Sequence, residues 1–190
     1  KVSEIGTALD PYLEQIADEM LEICKNRQTL VFLPLIATSQ KFTQILNDRG
    51  LSAKEVNGES EDRAEILEAF DNKKFKVLCN SMLLTEGWDC PSVDCVVVLR
   101  PTRIRSLYAQ MVGRGTRLNE GKEELLLLDF LWHTETHELC HPAHLVTDSP
   151  EIAERMTEII AESESAIDVS EIEKIAVQDV MEEREAALAA

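Results

Sequence analysis

Gln110-Met111-Val112-Gly113-Arg114-Gly115-Thr116-Arg117 is the stretch of this chain best equipped for chemistry. Two arginines stand three residues apart, where a helical pattern over Ser106 to Val112 breaks into a glycine-rich turn. The spacing predicts that Arg114 and Arg117 point the same way, because positions i and i+3 share a helix face. Two guanidiniums on one face can grip a planar or tetrahedral anion with several fixed donors, and phosphate is the obvious anion. A second unusual segment, Thr85-Glu86-Gly87-Trp88-Asp89-Cys90-Pro91, lies upstream at a spacing that one strand and one turn would fill.

Those segments need a scaffold, and the apolar pattern predicts one. Leu9 to Asn26 reads as an amphipathic helix, with Leu13, Ile16, Met20, Ile23 and Cys24 at helical spacing. Thr29 to Leu35 is a continuous apolar run, as expected for a strand covered on both faces. Ser39 to Arg49 follows as a second helix, with Gly50 suited to ending it. Ala53 to Asn57 is a short strand closed by Gly58, Asp62 to Asp71 a helix and Phe75 to Ser81 a strand. Val93 to Leu99 is a β-branched strand halted at Pro101, Ile104 to Val112 a helix and Glu124 to Phe130 another buried strand. Strands alternating with helices of this length predict an α/β fold, a parallel sheet with helices on both faces. Ligands of such sheets bind beyond the carboxyl ends of the strands, so both unusual segments are expected on that edge.

After Phe130 the pattern changes. Trp132 to Pro142 reads as an irregular His-rich loop. Pro150 to Ser163 is a helix with Ser149 as its N-cap candidate, and Ser170 to Ala190 is another acidic helix. The last helix has no stop signal, as expected of a piece of a longer protein. The residue types of His133, His137, Cys140, His141 and His144 suit Zn²⁺, but their spacing matches no common zinc pattern. A loop that packs Trp132 and the histidines is expected there, and no metal.

An apolar content of 44% fits an ordinary globular protein, and no apolar run approaches the roughly 18 residues of a membrane span. No basic-then-apolar leader is evident, and no membrane partner is expected. Five cysteines form no disulfide framework and four fall in apolar contexts, which predicts buried, reduced thiols and a cytoplasmic protein. The net charge of −17 is uneven: residues 1–118 carry 15 basic and 17 acidic side chains, residues 119–190 carry 4 and 19. A strongly negative charge argues against nonspecific nucleic-acid binding, but only for the second part. The nearly neutral first part concentrates Arg100, Arg103, Arg105, Arg114 and Arg117.

Taken together, the two segments resemble those of the second RecA-like lobe of a superfamily 2 helicase or translocase, over roughly residues 25 to 131. Gln110 to Arg117 has the QxxGRxxR form of motif VI in that family, and Ser81 to Pro91 looks like motif V, with Gly87, Asp89 and Pro91 in place. Val31-Phe32 with Thr38-Ser39 is similar to motif IV, and Val56-Asn57-Gly58 followed by Arg63 and Phe70 resembles the segment after it. The wording TEGWDCPSVDCVV most resembles bacterial and phage helicases akin to the motor subunits of restriction enzymes. The resemblance divides the chain into an N-terminal helix packing on the lobe (1–28), a RecA-like helicase C-terminal domain (29–131), the His-rich loop (132–149) and an acidic helical C-terminal extension (150–190).

What the resemblance implies is an ATP-driven motor on nucleic acid, with DNA expected. In such motors ATP and Mg²⁺ sit between two lobes, and the first RecA-like lobe brings the phosphate loop and the acidic motif that holds the ion. These 190 residues contain neither a GxxxxGK[S/T] nor an Asp-Glu-x-Asp/His motif, so the site is half present and the chain alone is expected to be inactive. By the same resemblance Arg117 is the arginine finger, Arg114 stands beside it on the γ-phosphate, and Gln110 bridges the γ-phosphate or attacking water. Asp89 accepts from ribose hydroxyls or orients a finger arginine, Gly87 permits close backbone approach, and Gly113 keeps side-chain bulk from the interface. Thr38, Ser39, Gly58, Ser81 and Thr85 are the candidates for contact with the nucleic-acid backbone. Thr38 and Ser39 are expected to open a helix, where free N–H groups suit phosphate. Glu86 departs from the DEAD-box branch, which often has Arg there, and this weakens carry-over of that branch's RNA preference. Two alternatives remain: a non-catalytic RecA-like module that binds nucleic acid or a protein, and an unrelated doubly wound nucleotide enzyme. The second would need a Gly-rich turn after the first strand, and Pro34 to Gln40 has no glycine.

Overall fold

The apolar run that begins at Thr29 becomes β1 (Thr29–Phe32), buried along its whole length at the centre of a five-stranded sheet. The computed structural model describes residues 8–81, 88–130, 139–163 and 165–189. β2 (Ala53–Val56), β3 (Val77–Asn80), β4 (Cys95–Val98) and β5 (Leu126–Asp129) complete the sheet in the order β2-β3-β1-β4-β5. Every pairing is parallel, with Thr29 opposite Val77 and Cys95, and Cys95 opposite Leu126. The strand starts are therefore aligned at one rim, and the strand ends lie about 10 Å away at the other.

A parallel neighbour requires a crossover, and four helices are packed with the sheet, α1 (Leu13–Ile23), α2 (Ile36–Asp48), α3 (Arg63–Asp71) and α4 (Arg105–Gly113). The two-residue alternation of the strands sorts side chains between two cores. Val31, Cys79, Cys95 and Val97 join Leu13, Met20, Phe42 and Leu46 of α1 and α2 on one face. Leu30, Phe32, Val96 and Val98 join Phe70, Tyr108 and Met111 of α3 and α4 on the other. All five cysteines are free and buried within these layers or beside them. β5 is only half-buried, not the fully buried strand expected from its leucines, because it is an edge strand with a single neighbour.

The first helix is shorter than expected, Leu13–Ile23 within the expected Leu9 to Asn26, and two further boundary shifts bear on the candidate residues. α2 starts at Ile36, three residues before the expected Ser39. Ser39 has N-cap chemistry but lies in the fourth helical position, where its N–H already donates to the Leu35 carbonyl at 2.9 Å. α4 ends at Gly113, so Arg114 is its C-cap and Arg117 lies beyond the helix.

Beyond β5 a 3₁₀ turn (Pro142–Leu145) leads to α5 (Pro150–Glu162) and α6 (Val169–Ala189). The Ser149 hydroxyl caps α5 by accepting from the Ile152 N–H at 3.5 Å. Asp168 caps α6, accepting from the N–H groups of Ser170 and Glu171. The hairpin has its own small core of Ala143, Ala153, Met156, Ile172 and Ala176.

Candidate functional site

The arginine turn and the Asp89 segment meet, at a rim opposite to the one expected. α4 starts beyond the end of β4 and must return the chain to the start of β5, so the turn after Gly113 lies at the amino ends of the strands. The segment from Trp88 to Asp94 leads into the first residue of β4 and lies at the same end. The carboxyl-edge expectation is corrected on this ground.

Within the turn, an Arg114 Nη donates to the Trp88 carbonyl at 2.6 Å. Arg117 Nε faces Asp89 Oδ1 at 3.3 Å, with side chains 62% and 43% exposed. The two arginines converge because both hold one segment, and not because they share a helix face. An ion pair so open to water contributes about 0–1 kcal/mol, so it does little to stabilise the fold. Gln110 lies exposed one turn before Arg114 on α4. Gly113 opens onto space, since nothing lies within 4 Å of where its Cβ would be.

The backbone here is fixed by residues that motif reading passed over. A Cβ at Gly115 would lie 2.4 Å from Leu125 Cδ1 and 2.9 Å from Val96 Cγ2, so the turn presses directly on the sheet. Lys122 donates from its ammonium to the carbonyls of Arg117 (2.8 Å), Pro91 (3.4 Å) and Gly115. Burial lowers its pKa from the ordinary lysine value. In the sequence, the only trace of this is a lysine after a turn glycine. A recess of about 210 Å³ lined by Gly115, Arg117, Leu118, Lys122 and Leu125 adjoins the turn. That is smaller than the roughly 300–1,000 Å³ usual for a small-molecule pocket.

The nucleic-acid candidates among the described residues, Thr38, Ser39, Gly58 and Ser81, lie at the carboxyl rim instead. Thr38 lies in the first turn of α2, whose N-cap Leu35 offers no side-chain acceptor. The first N–H groups of that helix, Thr38's among them, have no partner within the helix. Gly58 is in the turn after β2. Ser81 directly follows β3, and an Arg100 Nη donates to its carbonyl at 2.8 Å. Thr38, Ser39 and Ser81 are 5%, 0% and 5% exposed, so none of the three presents an open side chain to a ligand. Ser39 thus has neither a free N–H nor an open side chain, and the expectation that it opens the helix beside Thr38 is corrected. Gly87 and Thr85 lie outside the described residues, as do His133 and His137. His141 and His144 bind each other locally, the His144 Nδ1 accepting from the His141 N–H at 3.0 Å. Among the described residues no group of three or more His, Cys, Asp or Glu is arranged to hold a metal ion, and no helix is long and apolar enough to cross a membrane.

A family model described as the helicase conserved C-terminal domain matches residues 12–119. The irc3 protein of Schizosaccharomyces pombe, which carries the name mitochondrial ATP-dependent helicase, is 43% identical over 119 residues, covering 61% of this chain and 20% of that protein. IRC3 of Saccharomyces cerevisiae, which carries the name ATP-dependent helicase, is 36% identical over 107 residues, covering 55% of this chain and 16% of that protein. The chain spans no more than a fifth of either relative. The solved C-terminal domain of the DEAD-box protein Dbp5 has the same fold, with a TM-score of 0.55 at 16% identity over 88% of this chain and 91% of that one.

Proposed function

The chain belongs to the helicase conserved C-terminal domain family, and we propose that it works as the second RecA-like lobe of an ATP-dependent motor on DNA, supplying an arginine finger to a triphosphate held by a preceding lobe. The observation that carries this reading is the convergence of Arg114 and Arg117 on the Trp88-Asp89 segment, with the Arg117 side chain 62% exposed at the rim.

Phosphoryl transfer spreads negative charge over the transferred oxygens, and preplaced guanidiniums stabilise that charge. Arg117 is proposed as the finger. Arg114, anchored by one Nη, stands beside it toward the γ-phosphate, and Gln110 orients the attacking water or bridges to the other lobe. Asp89 keeps Arg117 aimed. Mg²⁺, when bound, neutralises charge on the phosphates. Its ligands are assigned to the preceding lobe, since this sequence holds no Asp-Glu-x-Asp/His motif. Nucleic acid is assigned to the other rim, where the first-turn N–H groups of α2, Thr38's among them, suit a phosphate, with Gly58 and Ser81 at the ends of the neighbouring strands and Thr85 proposed as a further contact. A cytoplasmic, reducing setting belongs to the same proposal and rests on five free buried thiols.

The test is ATP hydrolysis by the full-length protein, stimulated by DNA or by RNA, with the 190-residue chain alone as the blank. Arg117→Ala is expected to keep nucleotide binding and to turn over about 10³-fold more slowly. Wild-type turnover by that variant would remove the finger role. Turnover by the isolated chain would remove the two-lobe reading, and stimulation by RNA alone would replace DNA as the substrate.

A further inference from the structure

We propose that Lys122 is a positioning residue for the finger, tying the Arg117 turn to the Asp89 segment through three carbonyls. The inference rests on the finger reading above. An ammonium has three donors, and three carbonyls surround this one: Pro91 on one segment, Gly115 and Arg117 on the other. Pro91 stands two residues after Asp89, and Gly115 two residues before Arg117, so the tie brackets both members of the ion pair. The pair is too exposed to hold the turn by itself.

The approach of Lys122 is itself built. Its N–H donates to the Asn119 carbonyl at 3.1 Å, closing a turn in which Gly121 takes the left-handed φ of +77°. That conformation favours glycine, and the turn it closes brings Lys122 back to the carbonyls of Gly115 and Arg117. Gly115 packs against Leu125 and Val96 on the far side. The finger's backbone is thereby held between the sheet and the ammonium. An error of about 1 Å in placing a group can cost roughly 100-fold in rate, which gives such a tie its catalytic weight.

The experiment uses the full-length protein and compares Lys122→Met, Lys122→Arg and Arg117→Ala with wild type. Nucleic-acid-stimulated ATP hydrolysis, ADP affinity and affinity for ADP with aluminium fluoride are measured for each. For Lys122→Met, kcat is expected to fall about 10- to 100-fold. KM for ATP should stay within about twofold, ADP affinity should hold, and the extra tightness of the fluoride complex should vanish. Lys122→Arg keeps the charge, but its flat fork does not bring three donors to one point, so kcat falls there too. That variant decides the matter if the methionine variant does not fold. Unchanged kcat, parallel loss of ADP affinity, or failure of both variants to fold would each overturn the proposal. Loss of turnover in Arg117→Ala with none in Lys122→Met sinks this inference alone. Wild-type turnover by Arg117→Ala sinks the finger reading beneath it.

Discussion

Gly113 and Gly115 are two residues apart and read alike, yet they face opposite ways. The motif form singled out Gly113, and the structure leaves its Cβ direction open, while Gly115 is pressed against Leu125 and Val96. The difference was not legible in the sequence, because it depends on a strand that arrives later in the chain. Gly115→Ala is therefore expected to destabilise the isolated chain by about 1–3 kcal/mol through crowding at the buried Val96. Gly113→Ala adds a better helix former to the end of α4 and should leave stability equal or raise it by up to about 1 kcal/mol. In the full-length protein the same Gly113→Ala is expected to slow ATP turnover, if its open face meets the neighbouring lobe. Urea unfolding of both variants, with turnover of the second, checks the pair; equal destabilisation at the two sites would refute the distinction. The arginine pair was legible as a pair, but for the wrong local reason: helix periodicity does not reach Arg117, and Trp88 and Asp89 do the gathering.

At the scale of elements, the strands were readable because three of the five are short, mainly apolar runs buried in the sheet's interior. The start of α2 was misread because Ser39 imitates an N-cap while the real first turn, Ile36-Ala37-Thr38, carries no cap signal. The rim was misread because a rule for ligands at carboxyl ends was applied to a segment that follows a helix and not a strand. Once corrected, the topology separates two candidate sets: Arg114 and Arg117 at the amino ends of β4 and β5, and Thr38, Gly58 and Ser81 beyond the carboxyl ends of β1, β2 and β3. The acidic hairpin is a further element with a weak hold, since three of its five core residues are alanines and Met156 supplies most of the remaining bulk with Ile172. Met156→Ala should cost about 2–5 kcal/mol locally. Hydrogen exchange is expected to rise across α5 and α6 while β1 and β4 stay protected. An equal rise in the central strands would mean that the hairpin and the sheet unfold as one unit.

Over the whole molecule, charge and burial pull apart. The acids are concentrated beyond residue 118, while the groups whose ionisation burial opposes most lie inside the RecA-like lobe. Burial pushes the Cys79 thiol up to about 12 and the Cys90 thiol up to about 11, from an ordinary 9.0. Tyr108 is raised as well, by burial and by the charge of Asp129, to which its hydroxyl donates at 2.8 Å. Each of these groups keeps its proton in the folded chain at a pH where the unfolded chain has released it. Their contribution to stability is whole below pH 9 and is lost as the pH climbs toward 11 and 12. Lys122, whose pKa is lowered, works in the opposite direction and offsets part of the effect. Cys90 is the most convenient probe, because it lies outside the strands and its surroundings are simple: burial first, then Ser92 Oγ at 3.2 Å from its Sγ and the Asp71 carboxylate. Thermal unfolding from pH 7 to pH 11 should show Tm nearly level to pH 9 and falling above it. In Cys90→Ala the fall between pH 9 and pH 11 should be smaller by roughly 5 °C, even if the variant starts lower at pH 7. Parallel curves for the two proteins would place the alkaline loss elsewhere, and would mean that the buried thiol of the Asp89 segment is not held neutral by the fold.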